Sequence, residues 1–408
     1  MIVRQPLKQR ADYTHKYNLK TGRHGWLRLT PAYSVKIVEE LIGEYRQPMR
    51  VLDPFCGTAT TGLSAANHGH DAVMIEINPF LVWLGHSKTA RYAHKTIRTA
   101  RAVGTAALGL IRTRKVEPAP APPLHNIERW WDTSALLFMR QLRAAVELLA
   151  ERATAERDLL DVAFCRTLIK LSNSAFNHQS MSFRDPAQGK LFCVDHGAVF
   201  DDDLSFVLAG AGESPAGTCE VVSGDARSLD NTAGRFNLVI TSPPYANRMS
   251  YIRELRPYMY WLGYLGNGRE AGEMDWLAIG GTWGCATSRL IAWRPKTSGY
   301  ENDQLARILA RIGSTENANG PLLANYVAKY FEDIWEHLSA LPKVLATNAE
   351  LHYIVGNSTF YGVILPVEQL YADMLQRLGF GVVRVRPIRK RNSKRELIEF
   401  EVSARWSG

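Results

Sequence analysis

Short runs of β-forming apolar residues alternate along the chain with longer stretches that carry apolar residues at helical spacing. The short runs lie at 50–55, 72–77, 219–225, 236–241, 351–357, 382–386 and 397–402, and they predict seven strands. Helical spacing marks the segments 31–42, 133–180, 326–345 and 366–378. Strands that alternate with helices predict an α/β fold with a doubly wound sheet.

The run at 236–241 leads straight into Ser242, Pro243, Pro244 and Tyr245. A proline fixes its own φ near about −65° and favours extended backbone in the residue before it, so the chain stiffens as it leaves this strand. In an open α/β sheet, ligands bind at the carboxyl ends of the strands. The Ser242 hydroxyl, the nearby carbonyls and the flat ring of Tyr245 therefore suit a planar ring that carries an amine. The alternative is a Pro-Pro turn that only ends a strand.

A second motif lies upstream, where a predicted strand ends in the loop D-P-F-C-G-T at 53–58. Small residues such as Gly57 let the backbone approach a ligand closely. The next strand ends in Glu76, where a doubly wound fold hydrogen-bonds a ribose. A third predicted strand ends in Asp225. A solvated carboxylate at Glu76 and a turn-forming aspartate at Asp225 are the alternatives.

The loop at 53–58 and the S-P-P-Y stretch at 242–245 together resemble the amino-methyltransferases that modify DNA bases with S-adenosylmethionine. A serine in the first position of the second motif is typical of the N4-cytosine branch of the restriction–modification methyltransferases. The resemblance implies a Rossmann-like, seven-stranded methyltransferase core with two largely helical insertions for DNA binding. Ala59 departs from the family pattern, which usually has a second glycine there, so close approach to a ligand is slightly restricted.

The resemblance also implies roles for individual residues. Thr30 would cap a helix that begins at Pro31 and would help to hold the methionine end of the cofactor, and Asp225 would meet its adenine amine. The cofactor-binding residues are then Thr30, Asp53, Pro54, Phe55, Cys56, Gly57, Thr58, Glu76, Asp225 and Ala226. The catalytic residues are Ser242, Pro243, Pro244 and Tyr245.

Composition divides the chain further. Residues 1–28 are expected to form a basic N-terminal arm, and 29–84, 219–245 and 326–408 the catalytic core. A helical insertion is expected at 85–218, with an exposed loop over 201–218. The second insertion, 246–325, is the slightly preferred target-recognition region, because arginines interleave there with aromatic residues that could stack on bases. The polar segment 172–180 and Trp283 are further candidates for base contact.

The residues expected to contact DNA lie in two places. The second insertion supplies Arg248, Tyr251, Arg253 and Arg256, and the basic turn at 389–395 supplies Arg389, Lys390 and Arg391. Core packing and a solvated turn are the respective alternatives. The net charge of +9 favours a polyanionic partner, which the resemblance makes double-stranded DNA. It also implies a prokaryotic, nucleoid-associated protein, with a cognate restriction endonuclease as a partner that this chain cannot identify.

Other features argue against several classes. No apolar run approaches the roughly 20 residues that span a bilayer, and no signal-peptide core follows the basic N-terminus, so a cytoplasmic protein without a membrane partner is expected. The five cysteines are scattered without a C-x-x-C pair, which argues against a structural metal site and for a reducing compartment. None of them follows a proline, whereas methylation of the cytosine ring carbon usually needs a Pro-Cys thiolate.

Three other functions stay open. Adenine N6 methylation uses the same geometry, although Asp or Asn usually stands where this chain has Ser242. An RNA or protein amine methyltransferase usually carries N-P-P-Y in this loop. A catalytically silent nucleic-acid-binding relative would not need the loop at 53–58, Glu76, Asp225 and Ser242 together.

Overall fold

The computed structural model describes residues 7–30, 32–175, 182–184, 194–230, 232–248, 250–282, 285–297, 299–391 and 396–408. Pro31, residues 176–180 of the polar segment, Trp283 and the end of the basic turn at 392–395 lie outside these ranges. The predictions made for them stay untested.

Seven of the described strands form one sheet, and the other four form two short hairpins, β3-β4 and β8-β9. The strands are β1 (Arg50–Asp53), β2 (Asp71–Glu76), β3 (Ser174–Ala175), β4 (Ser182–Phe183), β5 (Thr218–Ser223), β6 (Phe236–Thr241), β7 (Leu345–Gly356), β8 (Ser358–Phe360), β9 (Val363–Leu365), β10 (Gly381–Lys390) and β11 (Ile398–Trp406).

The strand order in the sheet is β10-β11-β7-β6-β1-β2-β5. The five strands from β7 to β5 run parallel, and β11 is antiparallel to both β7 and β10. From β1 the chain first builds outward through β2 and β5, and then returns to add β6 and β7 on the other side. Ligands bind at such a switch point in open α/β sheets. The order confirms the predicted Rossmann-like methyltransferase fold.

Helices cover both faces of the sheet and build a separate lobe. They are α1 (His15–Asn18), α2 (Val35–Ile42), α3 (Thr60–Asn67), α4 (Pro79–Thr89), α5 (His94–Arg112), α6 (Ile127–Trp130), α7 (Thr133–Leu149), α8 (Ala155–Lys170), α9 (His196–Ala211), α10 (Tyr251–Leu262), α11 (Gly268–Leu277), α12 (Cys285–Ala292), α13 (Asp303–Gly313), α14 (Gly320–Ala340) and α15 (Val367–Arg377). Within the described residues, no helix combines the length and apolarity needed to cross a bilayer.

Alternate residues of the central strands build two cores on opposite faces of the sheet. Val51 and Leu238 pack in the cluster that contains α2. Their neighbours Leu52 and Val239 pack in the cluster that contains α14 and α15. This alternation follows from the two-residue period of a strand, and it explains why these strands read as continuous apolar runs in the sequence. A third cluster joins α4, α5 and α7 to α10 beside the sheet.

The helix predicted to begin at Pro31, with Thr30 as its cap, begins later. α2 starts at Val35, and Ser34 caps it by accepting a hydrogen bond from the Lys36 backbone N–H at 3.2 Å. Thr30 instead donates from both its backbone N–H and its hydroxyl to Glu254 Oε1 at 2.8 Å. The tertiary contact with α10 therefore overrides the local Thr-Pro signal.

The exposed loop predicted over 201–218 is wrong for most of its length. α9 continues to Ala211, and Asp203 within it is fully buried. Asp203 Oδ1 accepts from Arg166 Nε at 2.9 Å and pairs with Lys170 Nζ at 2.6 Å, so two cations of α8 offset its charge. The acidic run misled the prediction because these partners lie far away in the sequence.

The N-terminal segment is not a free basic arm in its described part. Residues 22–26 form a 3-10 helix in which Arg23 and Trp26 are buried. The Arg23 side chain lies between the ends of α4 and α9, where it donates to backbone carbonyls. The basic composition predicted an arm here. The burial of Arg23 could not be predicted, because its hydrogen-bond partners are main-chain oxygens.

Candidate active site

The carboxyl ends of β1, β2, β5 and β6 open on one cavity with an empty volume of about 980 Å³. The cavity joins the two sequence motifs. Its walls include these predicted residues: Pro54, Phe55, Cys56, Gly57, Thr58, Glu76, Asp225, Ala226, Ser242 and Pro244. The lining is mostly apolar, and its polar points are the carboxylates of Glu76 and Asp225 together with several hydroxyls, among them that of Ser242. Such a cavity is the usual form of a small-molecule site.

The loop after β1 is held by Glu76 at the end of β2. The Gly57 N–H donates to Glu76 Oε2 at 2.9 Å, and the Asn78 N–H donates to Glu76 Oε1 at 2.9 Å. Gly57 has a φ of 52° and Ala59 a φ of 61°, both in the left-handed region. In this backbone region an alanine is roughly 1 kcal/mol less favourable than a glycine. Ala59 therefore adopts the tight turn with a small backbone strain.

Asp53 connects the two motifs from beneath the cavity. Its Oδ1 accepts from the Phe55 N–H at 3.0 Å and from the Thr241 hydroxyl at 2.5 Å. The side chain is 1% exposed, and its Oδ2 has no hydrogen-bond partner among the described residues. Asp53 was predicted to bind the cofactor, but it is buried and is not among the residues that line the cavity; its bonded oxygen positions Thr241, the residue before Ser242.

Two carboxylates at this site are harder to ionise than usual. Burial raises the pKa of Asp53 to about 6, although the Thr241 hydroxyl partly offsets it. Burial also raises the pKa of Glu76 to about 7, against the hydrogen bonds from the Asn78 and Gly57 backbone. A ligand with positive charge would compensate both. S-adenosylmethionine carries a net positive charge at neutral pH, so these residues fit it.

The affinity for S-adenosylmethionine is expected to rise with pH between about pH 6 and pH 8 and then to level off. Glu76, with a pKa of about 7 in the free protein, is largely protonated at the lower end of that range. A cationic ligand favours the ionised form, so binding releases a proton and strengthens as the pH rises. Isothermal titration calorimetry across this range measures the effect.

Two controls separate this linkage from a general pH effect. Glu76→Gln should bind more weakly and lose most of the pH dependence, because the amide does not titrate. S-adenosylhomocysteine lacks the sulfonium charge and should show a smaller dependence with the native protein. An affinity for S-adenosylmethionine that stays flat between these pH values would contradict the assigned role of the two carboxylates.

Asp225 is held by its neighbour Arg227. Arg227 Nη2 donates to Asp225 Oδ2 at 2.6 Å, and Arg227 also reaches Asp333 and the Leu277 carbonyl. Burial raises the pKa of Asp225, but the hydrogen bonds and charge of Arg227 outweigh it and leave the pKa below its ordinary value. Asp225 therefore lines the cavity as a carboxylate, as the predicted contact with an adenine amine requires.

Ser242 stands at the end of β6 with its hydroxyl proton already engaged. Its Oγ donates to the backbone carbonyl of Ile354 on β7 at 3.0 Å. A hydroxyl has a single proton. Once that proton is used in this bond, the oxygen can only accept further hydrogen bonds through its lone pairs. The carbonyl of Pro244 accepts from the Tyr330 hydroxyl at 2.8 Å. Ser242 lines the cavity and can offer these lone pairs to an amine, whereas Pro243 is buried and is not among the lining residues.

Tyr245 does not line the cavity in the described structure. Its hydroxyl donates to Glu399 Oε1 at 2.8 Å, and the Arg391 guanidinium lies over its ring, 4.9 Å from the centroid. The Tyr245 N–H donates to the hydroxyl of Tyr251, which does line the cavity. The predicted stacking of Tyr245 on a base stays a prediction.

The residues predicted to contact DNA differ in their exposure and in their contacts. Arg248 is exposed, whereas Arg253 and Arg256 are half-buried on α10. Tyr251 accepts a hydrogen bond from the Tyr245 N–H and lines the cavity, and its predicted contact with DNA stays a prediction. Arg389 forms a buried ion pair with Glu399, Nε to Oε2 at 2.7 Å, and this pairing does not fit its predicted phosphate contact.

Several cavity residues were missed by the sequence analysis. The α11 end of the second insertion forms part of the wall through Met274, Leu277 and Ile279, and Leu29 and Tyr33 come from the chain before β1. Apolar residues in a helix carry no signal that separates a cavity wall from a core. Asn78, before Pro79, had a visible signal as a helix cap.

Among the described residues, no group of His, Cys, Asp and Glu could hold a metal ion.

Comparison with known proteins gives two weak relatives in sequence. The chain is 22% identical over 424 aligned residues to the Type II methyltransferase M.AvaI of Nostoc sp., and equally to that of Anabaena variabilis. Each alignment covers 93% of this chain and 84% of the relative. No protein-family model matches the chain.

Among solved structures, the rRNA methyltransferase aviRa from Streptomyces viridochromogenes aligns with 10% identity and a TM-score of 0.31, over 98% of this chain and 96% of that one. An overlap this weak carries no argument about fold or substrate. The sheet order and the two Type II methyltransferases instead support a methyltransferase, and S-adenosylmethionine is its methyl donor.

Proposed function

We propose that this chain is a site-specific DNA methyltransferase that methylates the exocyclic N4 amine of cytosine within a restriction–modification system. The observation that carries the proposal is the orientation of Ser242, whose hydroxyl donates to the Ile354 carbonyl and so presents lone pairs beside the cavity. The similarity to two Type II methyltransferases supports DNA as the substrate. The net charge of +9 fits a polyanionic partner.

The cytosine amine is a poor nucleophile because its lone pair is delocalised into the ring. Ser242 Oγ and the Pro243 carbonyl would accept its two hydrogens and draw the nitrogen toward tetrahedral geometry, which is favoured only in the transition state. Bound S-adenosylmethionine would supply the methyl group from its sulfonium and leave as the neutral thioether S-adenosylhomocysteine, while the amine nitrogen gives up one of its protons to solvent. The fixed loop then contributes mainly orientation.

The loop is rigid enough for this role because bonds hold it from several sides. Thr241 is bonded to Asp53, Pro244 to Tyr330, and the Arg248 N–H donates to the Tyr326 hydroxyl at 3.1 Å. These partners come from β1 and α14, so the catalytic loop is attached to both the cofactor loop and the opposite layer. A cytosine inside a duplex cannot reach this loop, so the base must leave the helix.

Cytosine is preferred to adenine because a serine can accept a hydrogen bond from the amine but brings neither a carboxylate nor an amide. The adenine branch usually has an aspartate or asparagine at this position, and this chain has neither there. Target reading is assigned to 246–325, with the exposed Arg248 as its contact nearest to the catalytic loop. Lys390 is the remaining candidate for phosphate contact in the C-terminal turn, because Arg391 lies over the ring of Tyr245 and donates to the Asn357 carbonyl.

DNA from cells that express the protein is expected to contain N4-methylcytosine. Digestion to nucleosides followed by mass spectrometry measures it, with cells that lack the gene as the control. N6-methyladenine in its place would keep the fold and reject the argument from Ser242. DNA without any modified base would reject the proposed substrate and direct the same assay to RNA.

A further inference from the structure

The C-terminal hairpin β10-β11 reaches the catalytic loop through one buried carboxylate. Glu399 on β11 is 3% exposed, and its Oε1 accepts the Tyr245 hydroxyl at 2.8 Å. Its Oε2 accepts from Arg389 Nε at 2.7 Å, and Arg389 is its cross-strand neighbour on β10. A buried carboxylate bonded to a cation and a hydroxyl is fully engaged and holds one orientation.

The ring of Tyr245 is held from its face as well as from its hydroxyl. Arg391 lies over the ring and donates from Nη1 to the Asn357 carbonyl at 2.7 Å. Gly356 makes this possible, since a Cβ there would meet Arg391 Nη1 at 2.6 Å and Tyr245 Cε2 at 3.0 Å. Three contacts from the C-terminal region therefore determine where the ring lies.

We propose that Glu399 is a positioning residue for methyl transfer, which acts by fixing Tyr245 through the hydrogen bond to its hydroxyl. The inference rests on the proposed function and on the predicted stacking of Tyr245 on the target base. The basic turn that the sequence assigned to phosphate contact would then serve the catalytic loop through Arg389 and Arg391. Arg389 orients the buried carboxylate through its hydrogen bond to Oε2.

The bond predicts a specific pattern of rates. Tyr245→Phe removes the hydroxyl, and Glu399→Ala removes its acceptor; each is expected to lower the single-turnover rate of methyl transfer about tenfold. The double variant should be no slower than the slower single variant, because both changes delete the same bond. Glu399→Gln keeps an acceptor oxygen and should recover most of the rate.

The measurement uses the full chain, unmodified plasmid DNA and radiolabelled S-adenosylmethionine, with the enzyme in excess over sites. Binding of the cofactor to each variant is measured separately and should not change. Glu401→Ala is the matched control. Glu401 is a second buried carboxylate on β11, paired with Arg386 across the hairpin and with His352. Its loss should lower thermal stability as Glu399→Ala does, yet leave the transfer rate at the native value.

Rate losses that multiply in the double variant, or an equal loss in Glu401→Ala, would overturn the inference and indicate a general effect on stability. If Glu399→Ala does not fold, Tyr245→Phe and Glu399→Gln form the test: the first should lose about tenfold in rate and the second should keep most of it, and an equal loss in both would overturn the inference. Native protein that modifies plasmid DNA while Tyr245→Phe keeps the native rate would reject the positioning role alone. Native protein that modifies no DNA would reject the proposed function and this inference together.

Discussion

Replacing Ser242 by alanine is expected to lower methyl transfer about 10²- to 10³-fold while the affinity for S-adenosylmethionine stays within about twofold. The Ser242 hydroxyl donates to the Ile354 carbonyl at 3.0 Å, so its removal leaves this backbone acceptor without that donor at a strand end. The cofactor loop at 53–58 and Glu76 keep their contacts with each other. The loss should therefore fall on the chemical step.

Single-turnover incorporation of a labelled methyl group, together with a binding titration, separates the two effects. Ser403→Ala is a suitable control, because Ser403 is a half-buried serine on β11, at a distance from the cavity wall. It should transfer at the native rate. A Ser242→Ala protein that transfers at nearly the native rate would mean that another group accepts the amine hydrogens, and the preference for cytosine would lose its basis.

The strands and both site motifs could be predicted from the sequence for a physical reason. Central strands of a doubly wound sheet are buried on both faces, so they read as short apolar runs, and the loops at their carboxyl ends contain the site. The loop at 53–58 and Ser242 could be identified from the sequence in this way. Pro243 and Pro244 also signalled a stiff loop, because proline acts on its own backbone.

The features that could not be predicted depend on partners far away in the sequence. The acidic run in α9 looked like a loop because the cations that bind Asp203 lie on α8. The role of Arg389 looked like phosphate contact because its partner, Glu399, lies across a hairpin. Thr30 carried a true local signal for a helix start, yet Glu254 on α10 takes both of its donors. A prediction from local sequence fails where the hydrogen-bond partners of a polar group come from distant parts of the chain.

Arg23 should be the most sensitive polar position for stability. Its five N–H groups donate to five backbone carbonyls, those of Lys88, Ala90, Gly210, Ala211 and Glu213. These oxygens lie at the ends of α4 and α9, where the last carbonyls have no partner within the helix. The guanidinium also lies 5.5 Å from the ring centroids of Trp26 and Tyr92. The Arg23 side chain thus caps both α4 and α9, and it also contacts Trp26 in the third hydrophobic cluster.

Arg23→Ala is expected to lower the free energy of unfolding by about 3–5 kcal/mol, because buried carbonyls lose their donors and a cavity forms beside Trp26. Arg23→Lys offers three donors from one nitrogen, which cannot reach both helix ends in the same geometry, and should recover only part of the loss. Arg152→Ala, at a side chain that is 79% exposed, should change the value by less than about 0.5 kcal/mol. Urea unfolding of the four proteins measures these differences. A loss below about 1 kcal/mol for Arg23→Ala would mean that water replaces the guanidinium at the helix ends, and the N-terminal segment would then be the basic arm that its composition suggests.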